Sequence, residues 1–372
     1  MVSAPSREAA EGAGVDTKTT VVFVAVVGGR FLLPLLIPFF PLPGILASLV
    51  LDGVDQSIFQ AFGHDPPQYQ GYDKAMDVYY LAVAYLSTMR NWTSRPAVQV
   101  GRFLYFYRLI GVVAFELSGW RPLLLIFPNT FEYFFIAYEI VRLRWNPARY
   151  GTKYWVIVAA LIWVVVKLPQ EWWIHIAKLD VTDTMAAHHW VLPTLIAVLL
   201  VAFVVFWFAI RTRLPEPDHP WRVAADPLPA GVDSAAERDR WVAAHRRLWS
   251  TATLELVVLL SLLWAIFASV LPGNTANSPQ EIAAVAVFVV VNAAISLAVA
   301  RRTRSRESAL AAFITRAVLN VGLVLLASLL IPGGLDRANA IFFALLLSLI
   351  SLLDDRFRPV YEARFAKVGV SA

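Results

Sequence analysis

Long apolar runs separated by short polar connections set the pattern of this chain. Runs close to the roughly 20 residues needed to cross a bilayer lie near Val21–Phe40, Asp73–Arg90, Val98–Ser118, Pro122–Val141 and Tyr154–Leu168. A second series lies near Val191–Ile210, Thr251–Val270, Ile282–Ala300, Ala309–Leu330 and Ala338–Leu353. The pattern predicts an all-α fold, a polytopic integral membrane helix bundle with about ten transmembrane helices. Gly44–Phe62 is also largely apolar, but Asp52, Asp55, Gln56 and Gln60 interrupt it. With a cytoplasmic amino terminus it is expected as an interfacial or re-entrant segment on the outer face; if it spans, the amino terminus lies outside.

Lys and Arg collect in cytoplasmic connections, so the polar segments carry orientation. The stretches "MRNWTSRP" (89–96), "RLRWNPARYGTK" (142–153), "RTRLPEPDHPWR" (211–222) and "RRTRSRES" (301–308) are basic, whereas "HDPPQYQGY" (64–72) and "LPGNTANSPQ" (271–280) hold neither Lys nor Arg. Counting crossings places the first group inside, the second outside and both termini in the cytoplasm. The expected organisation is a cytoplasmic polar leader (1–20), an aromatic- and charge-rich membrane half (21–210) and a cytoplasmic loop with an amphipathic helix (211–250). A second, plainer membrane half (251–353) and a cytoplasmic tail (354–372) follow. The first apolar run has no small-residue cleavage site before its prolines and reads as an uncleaved anchor in the cell membrane.

Composition sharpens this picture. The 372 residues are 58% hydrophobic and 16% charged, against roughly 25% charged in an average soluble protein. The net charge of +5 is gathered in the short connections, which excludes nucleic acid as a partner and leaves the lipid bilayer, with a homo-oligomer or a membrane partner beside it. With no cysteine, disulfides, thiolate metal sites and thiol nucleophiles are excluded. Gly-rich phosphate loops, His-Glu-x-x-His and the Ser nucleophile elbow are also absent from the sequence.

Ionisable residues inside apolar runs are therefore the candidates for chemistry, because a charge at mid-bilayer costs roughly 2.5–3.5 kcal/mol even on the lenient scale. Arg108 and Glu132 fall near the middle of consecutive runs, and Pro128 frees a backbone carbonyl beside Asn129. Arg108, Asn129 and Glu132 are expected to form a buried polar path, with Arg108 pairing Glu132, or else a structural ion pair. On the outer side, His175, Asp180, Asp183 and His188 combine imidazole and carboxylate in one segment, a donor set for a divalent ion. Trp172, Trp173 and Trp190 suggest that this segment lies along the membrane surface. Glu255, Asn292, Arg316 and Asn320 are expected to hydrogen-bond between helices.

Four acids stand out by spacing. Asp52 and Asp55 are three residues apart and Asp73 and Asp77 four, so each pair shares a helix face. Carboxylate oxygens suit hard divalent cations such as Mg, Mn or Ca. The plainer alternative is that Asp52 and Asp55 solvate an interfacial helix while Asp73 caps the next one.

The pattern Asp52-x-x-Asp55, with Asp73-x-x-x-Asp77 beginning eighteen residues after Asp55, resembles the aspartate spacing of the CDP-alcohol phosphotransferase family. Arg30 and Pro34 are similar to an Arg and a Pro in the preceding segment of that family. The resemblance implies four carboxylates holding two divalent cations, which neutralise a CDP-linked donor while one aspartate acts as base on an acceptor hydroxyl. Gln56, Phe59-Gln60 and Tyr69 depart from it, standing where the family has Gly, Ala-Arg and Gly.

Three function classes follow. The first is a transporter, or a protein handling lipid or lipid-linked substrates, that uses the Arg108, Asn129 and Glu132 path. The second is a metal-dependent phosphotransferase-like enzyme built on the four aspartates, and the third is a non-catalytic membrane scaffold.

Overall fold

The computed structural model describes residues 17–62, 69–177, 179, 184–185, 187–245, 250–270, 291, 314, 317–322 and 337–366. All regular elements among them are helical: α1 (Thr17–Leu32), α2 (Pro41–Ala61), α3 (Tyr69–Asn91), α4 (Arg95–Ser118), α5 (Pro122–Ile126) and α6 (Thr130–Arg142). There follow α7 (Thr152–Ile176), α8 (Val191–Arg213), α9 (Ala235–His245), α10 (Thr251–Val270) and α11 (Arg337–Phe365).

Among the described residues, four helical stretches are long and apolar enough to cross a bilayer: α4, α5 with α6, α7 and α8. In α8 the apolar side chains project outward, Phe208 being 71% exposed and Val201 63%. A 23-residue helix with that surface is stable in hydrocarbon, where its backbone bonds are satisfied internally and its side chains match the solvent. Of the ten expected spans, those near Ile282–Ala300 and Ala309–Leu330 fall largely outside the described residues, as do Asn292 and Arg316.

Local sequence explains where the helices start and stop. Ser94 caps α4, its Oγ accepting from the Ala97 N–H at 3.4 Å, and Pro96 fits the first turn. Gly119 ends α4 in the left-handed region at φ 67°. Gly111 lets the chain between α5 and α6 lie against α4, because a Cβ there would meet the Phe127 Cβ at 2.1 Å. Pro128 keeps α5 and α6 apart, and Pro169 lies between two π-helical turns of α7, Ile162–Lys167 and Trp172–Ile176.

Three elements refine or overturn expectation. Gly44–Phe62 forms most of α2, a continuous helix of 21 residues, about 31 Å long. It runs antiparallel to α1, with the Phe23 and Phe59 rings 5.9 Å apart and Gly29 against Leu51. Residues 169–176 continue α7, so the Trp172–His175 stretch is the end of a long helix. The segment assigned to the tail prolongs the last helix to Phe365, and Asp354 and Arg358 are buried within it.

The basic connections at 89–96, 142–153 and 211–222 converge at one end of the bundle. The Asp218 N–H donates to the Arg144 carbonyl (2.9 Å), Arg222 N–H to Leu143 (3.1 Å) and Ala225 N–H to Phe39 (2.8 Å). Arg364 reaches the carbonyls of Trp92 and Arg90 at 2.9 and 2.8 Å, so α3 and α11 both finish there. Trp92 anchors this end: its ring stacks on Tyr138 at 3.9 Å and its Nε1 donates to Glu139 at 2.9 Å. Glu139 also pairs with Arg142 at 2.6 Å, which gives both buried charges a partner.

Candidate functional site

The antiparallel pair α1 and α2, with α3 beside them, brings the four aspartates to one place. Residues three or four apart on a helix share a face, so α2 presents Asp52 and Asp55 while α3 presents Asp73 and Asp77. Arg30, in the last turn of α1, inserts between them and is 5% exposed. Its Nη1 donates to Asp55 Oδ2 at 2.5 Å and to Asp73 Oδ1, and its Nη2 donates to Asp77 Oδ1 at 2.5 Å and to Asp52 Oδ1. One guanidinium thus serves four carboxylates from two helices.

Carboxylate oxygens of Asp52, Asp55 and Asp73 lie within 4.8 Å of one another, a spacing able to hold a metal ion. The donor set is all oxygen and anionic, which suits Mg2+, Mn2+ or Ca2+. Asp55 is buried, whereas the side chains of Asp73 and Asp77 are 38% and 40% exposed, so the cluster opens on the α3 side. Phe59, which replaces a small residue of the resembled pattern, is buried and its ring lies against Phe23 of α1.

A second set of polar groups adjoins this one. Tyr80, one turn beyond Asp77 on the same face of α3, donates its hydroxyl to Glu132 Oε1. Asn129 Nδ2 donates to Glu132 Oε2 at 2.9 Å, and the Asn129 N–H donates to Glu171 Oε1 at 3.1 Å. Glu171 in turn pairs with His175 at 3.0 Å. Of these, Tyr80, Glu132 and Glu171 are buried. Asn129 Oδ1 and Thr130 Oγ1 are buried without a hydrogen-bond partner, which marks a polar gap beside Glu132.

Asn129 and Glu132 are therefore brought together, but Arg108 is not paired with Glu132. Arg108 Nη1 instead donates to the Phe127 carbonyl at 2.9 Å, the acceptor that the break before Pro128 leaves free. His175 pairs within its own helix and His188 lies beside Trp190 with ring centroids 6.0 Å apart. Asp180 and Asp183 fall outside the described residues.

Two features went unread in the sequence. Tyr80, one turn from Asp77 on α3, bonds Glu132, and its signal was the i, i+3 spacing from Asp77. Glu255 makes interhelical bonds as expected, but to partners the sequence did not indicate: it pairs with Arg358 at 3.1 Å and Arg102 at 3.5 Å and accepts from Tyr85, while Arg358 also holds Asp354. Asn320 makes an interhelical bond of the expected kind, donating to Ser348 Oγ at 2.6 Å. No family model, curated protein or solved structure matches this chain.

Proposed function

We propose that this is a polytopic membrane protein whose aspartate cluster is a divalent-cation centre acting on a phosphate- or diphosphate-linked lipid, in the manner of a phosphotransferase. The convergence of Asp52, Asp55, Asp73 and Asp77 on Arg30 carries the reading. One positive charge does not balance four carboxylates, and hard cations are the ligands that both neutralise such a cluster and hold phosphate oxygens. Bound there, a cation pair would polarise the phosphorus centre and steady the attacking and leaving oxygens. The exposed carboxylates of Asp73 and Asp77 are placed to take the proton of an acceptor hydroxyl, and buried Asp55 to hold the site together.

Orientation selects the substrate class. The cluster lies about thirteen residues of α3 from Arg90 at the basic end, or about 20 Å along the helix. With basic loops inside, the acids face the outer half of the membrane, where a lipid-linked donor is accessible and a cytosolic nucleotide is not. On this reading the start of α1 lies on the outer side, since α1 and α3 run in the same direction.

The test is Mn2+ binding to the purified protein in nanodiscs, followed by electron paramagnetic resonance, with headgroup release then assayed from CDP-diacylglycerol and from diphosphate-linked polyprenyl lipids. Saturable binding that Asp55→Asn weakens at least tenfold, with release from a polyprenyl donor, supports the reading. Absence of saturable Mn2+ binding overturns it, and release from CDP-diacylglycerol alone overturns the orientation.

A second reading, transport or lipid handling along a buried polar path, is favoured by the Tyr80, Glu132, Asn129 and Glu171 chain and the unpartnered Asn129 Oδ1. There the acids would serve a coupling ion, and Glu132→Gln would abolish flux while leaving Mn2+ affinity unchanged.

A further inference from the structure

A cavity of about 470 Å³ opens at the basic end of the bundle, between the α1–α2 turn, the end of α3, the approach to α9 and the last turns of α11. Its walls combine two kinds of chemistry. Leu35, Phe39, Leu352, Phe357 and Val360 make an apolar surface, and Arg90, Arg238 and Arg356 place three guanidinium groups on it. The one acid among the described lining residues, Asp233, is engaged by Glu237, and that hydrogen bond raises its pKa above the ordinary carboxylate value.

The three arginines are not consumed by carboxylates. Arg90 donates to the Pro38 carbonyl at 2.9 Å and to Asn91 Oδ1 at 2.5 Å. Arg238 Nη1 donates to the carbonyls of Val232 and Asp233 at 3.2 and 3.1 Å, and its Nε is buried without a hydrogen-bond partner. Among the described residues, no hydrogen bond or ion pair engages Arg356. Burial first, and then the charge of Arg356, lower the pKa of Arg238. Asp233, Glu237 and Asp239 lie near enough to act on Arg238, and Asp226 on Arg90, but among the described residues no carboxylate is in hydrogen-bond or ion-pair contact with the three guanidinium groups. Like charges gathered beside apolar walls in this way are an arrangement that an anion stabilises.

We propose that this cavity binds an anionic phospholipid of the leaflet at the basic end, its phosphate held by Arg90, Arg238 and Arg356 and the upper part of an acyl chain lying on Phe39, Leu352 and Phe357. A free phosphate would use the guanidinium groups but would leave the apolar wall wet. An acidic lipid matches both surfaces, and cationic pockets between membrane helices are suited to such headgroups. The site is distinct from the aspartate cluster, about 20 Å away along α3, and does not depend on that cluster's function.

The full-length protein, purified in a neutral detergent, tests this directly. Native mass spectrometry and competition against a fluorescent anionic lipid are run with phosphatidylglycerol, phosphatidylcholine and inorganic phosphate. The expected result is retention of one phosphatidylglycerol, displacement of the probe by it but not by phosphatidylcholine, and at least tenfold weaker binding in Arg356→Gln and Arg238→Gln. Arg149→Gln, an exposed arginine at the same end, should bind as the unmodified protein does. Equal displacement by both lipids, displacement by millimolar phosphate but not by the lipid, or unchanged binding in both variants overturns the proposal. The competition on unmodified protein decides the matter even where a variant fails to fold.

Discussion

Arg30→Met removes the guanidinium that four carboxylates share, and the consequence can be worked from the geometry. At an effective dielectric of about 20, two carboxylates 4.8 Å apart repel by about 3.5 kcal/mol, while a guanidinium about 4 Å from a carboxylate returns about 4 kcal/mol. Arg30 touches all four acids, so its contacts offset most of the repulsion, and its loss leaves that repulsion bare. Breaking a buried ion pair from one side costs roughly 3–5 kcal/mol, and that loss is expected in urea unfolding of detergent-solubilised protein followed by tryptophan fluorescence. A divalent cation should reverse it, since a ligand at 100 times its Kd adds about 2.7 kcal/mol of stability. Most of the lost stability should therefore return in millimolar Mg2+ or Mn2+ and vanish again with chelator. Asp52→Asn added to Arg30→Met should also restore part of it by removing one of the repelling charges. An Arg30→Met protein as stable as its parent, with no response to divalent cations, would refute the claim that the cluster needs counter-charge.

Two other perturbations probe the remaining charged groups. Arg358→Met takes from buried Asp354 the guanidinium it accepts from and strips Glu255 of its nearer partner, so a loss of about 3–5 kcal/mol is expected in the same unfolding assay; adding Asp354→Leu and Glu255→Gln should recover much of it. At the basic end, the Asn146 N–H and then Arg149 hold the Asp218 carboxyl below the usual carboxylate range. A depressed carboxylate stabilises above its unfolded pKa and loses that contribution as pH falls through the folded value. A spin label at Glu216→Cys should therefore stay immobile near pH 7 and loosen only below about pH 4; loosening on the alkaline side instead would contradict this clamp.

Much of the architecture was legible because apolar length is a direct physical signal: α4, α7 and α8 sit where the hydropathy runs placed them. At α2 and at the end of α11, charge read as a mark of exposure hid how far the helices continue. Asp52 and Asp55 made α2 look interfacial, yet Arg30 on the neighbouring helix neutralises that face and lets the helix continue. Asp354 and Arg358 made the end of α11 look like a tail, but each partners the other and Glu255 meets both the helix and Arg102. Only a contact map distinguishes a paired charge from a solvated one. At the site, the i, i+3 and i, i+4 spacing of the aspartates was readable and Arg30 entered through resemblance. The pairing of Arg108 with Glu132 was inferred from depth alone, and it fails because Pro128 supplies Arg108 with a nearer acceptor, the Phe127 carbonyl.

The antiparallel packing of α1 and α2 yields a prediction for the side on which α1 begins, and this can be measured. If α2 were a surface helix, α1 would descend from the cytoplasm and both termini would share a side. With α2 running the full length of α1, with Phe23 beside Phe59 and with Ala225 bonded to Phe39 at the turn, α1 begins at the end opposite the basic loops. The chain has no cysteine, so single cysteines report position without background. Glu216→Cys at the basic end and Ser118→Cys at the end of α4 should be labelled by a membrane-impermeant maleimide from opposite sides of oriented membranes. A cysteine placed in the leader at Ser6 should follow Ser118, not Glu216. Labelling of Ser6→Cys from the same side as Glu216→Cys would restore a cytoplasmic amino terminus. It would also remove the argument that the aspartates face the outer half of the bilayer, because α1, α2 and α3 carry that orientation as one unit tied by Arg30.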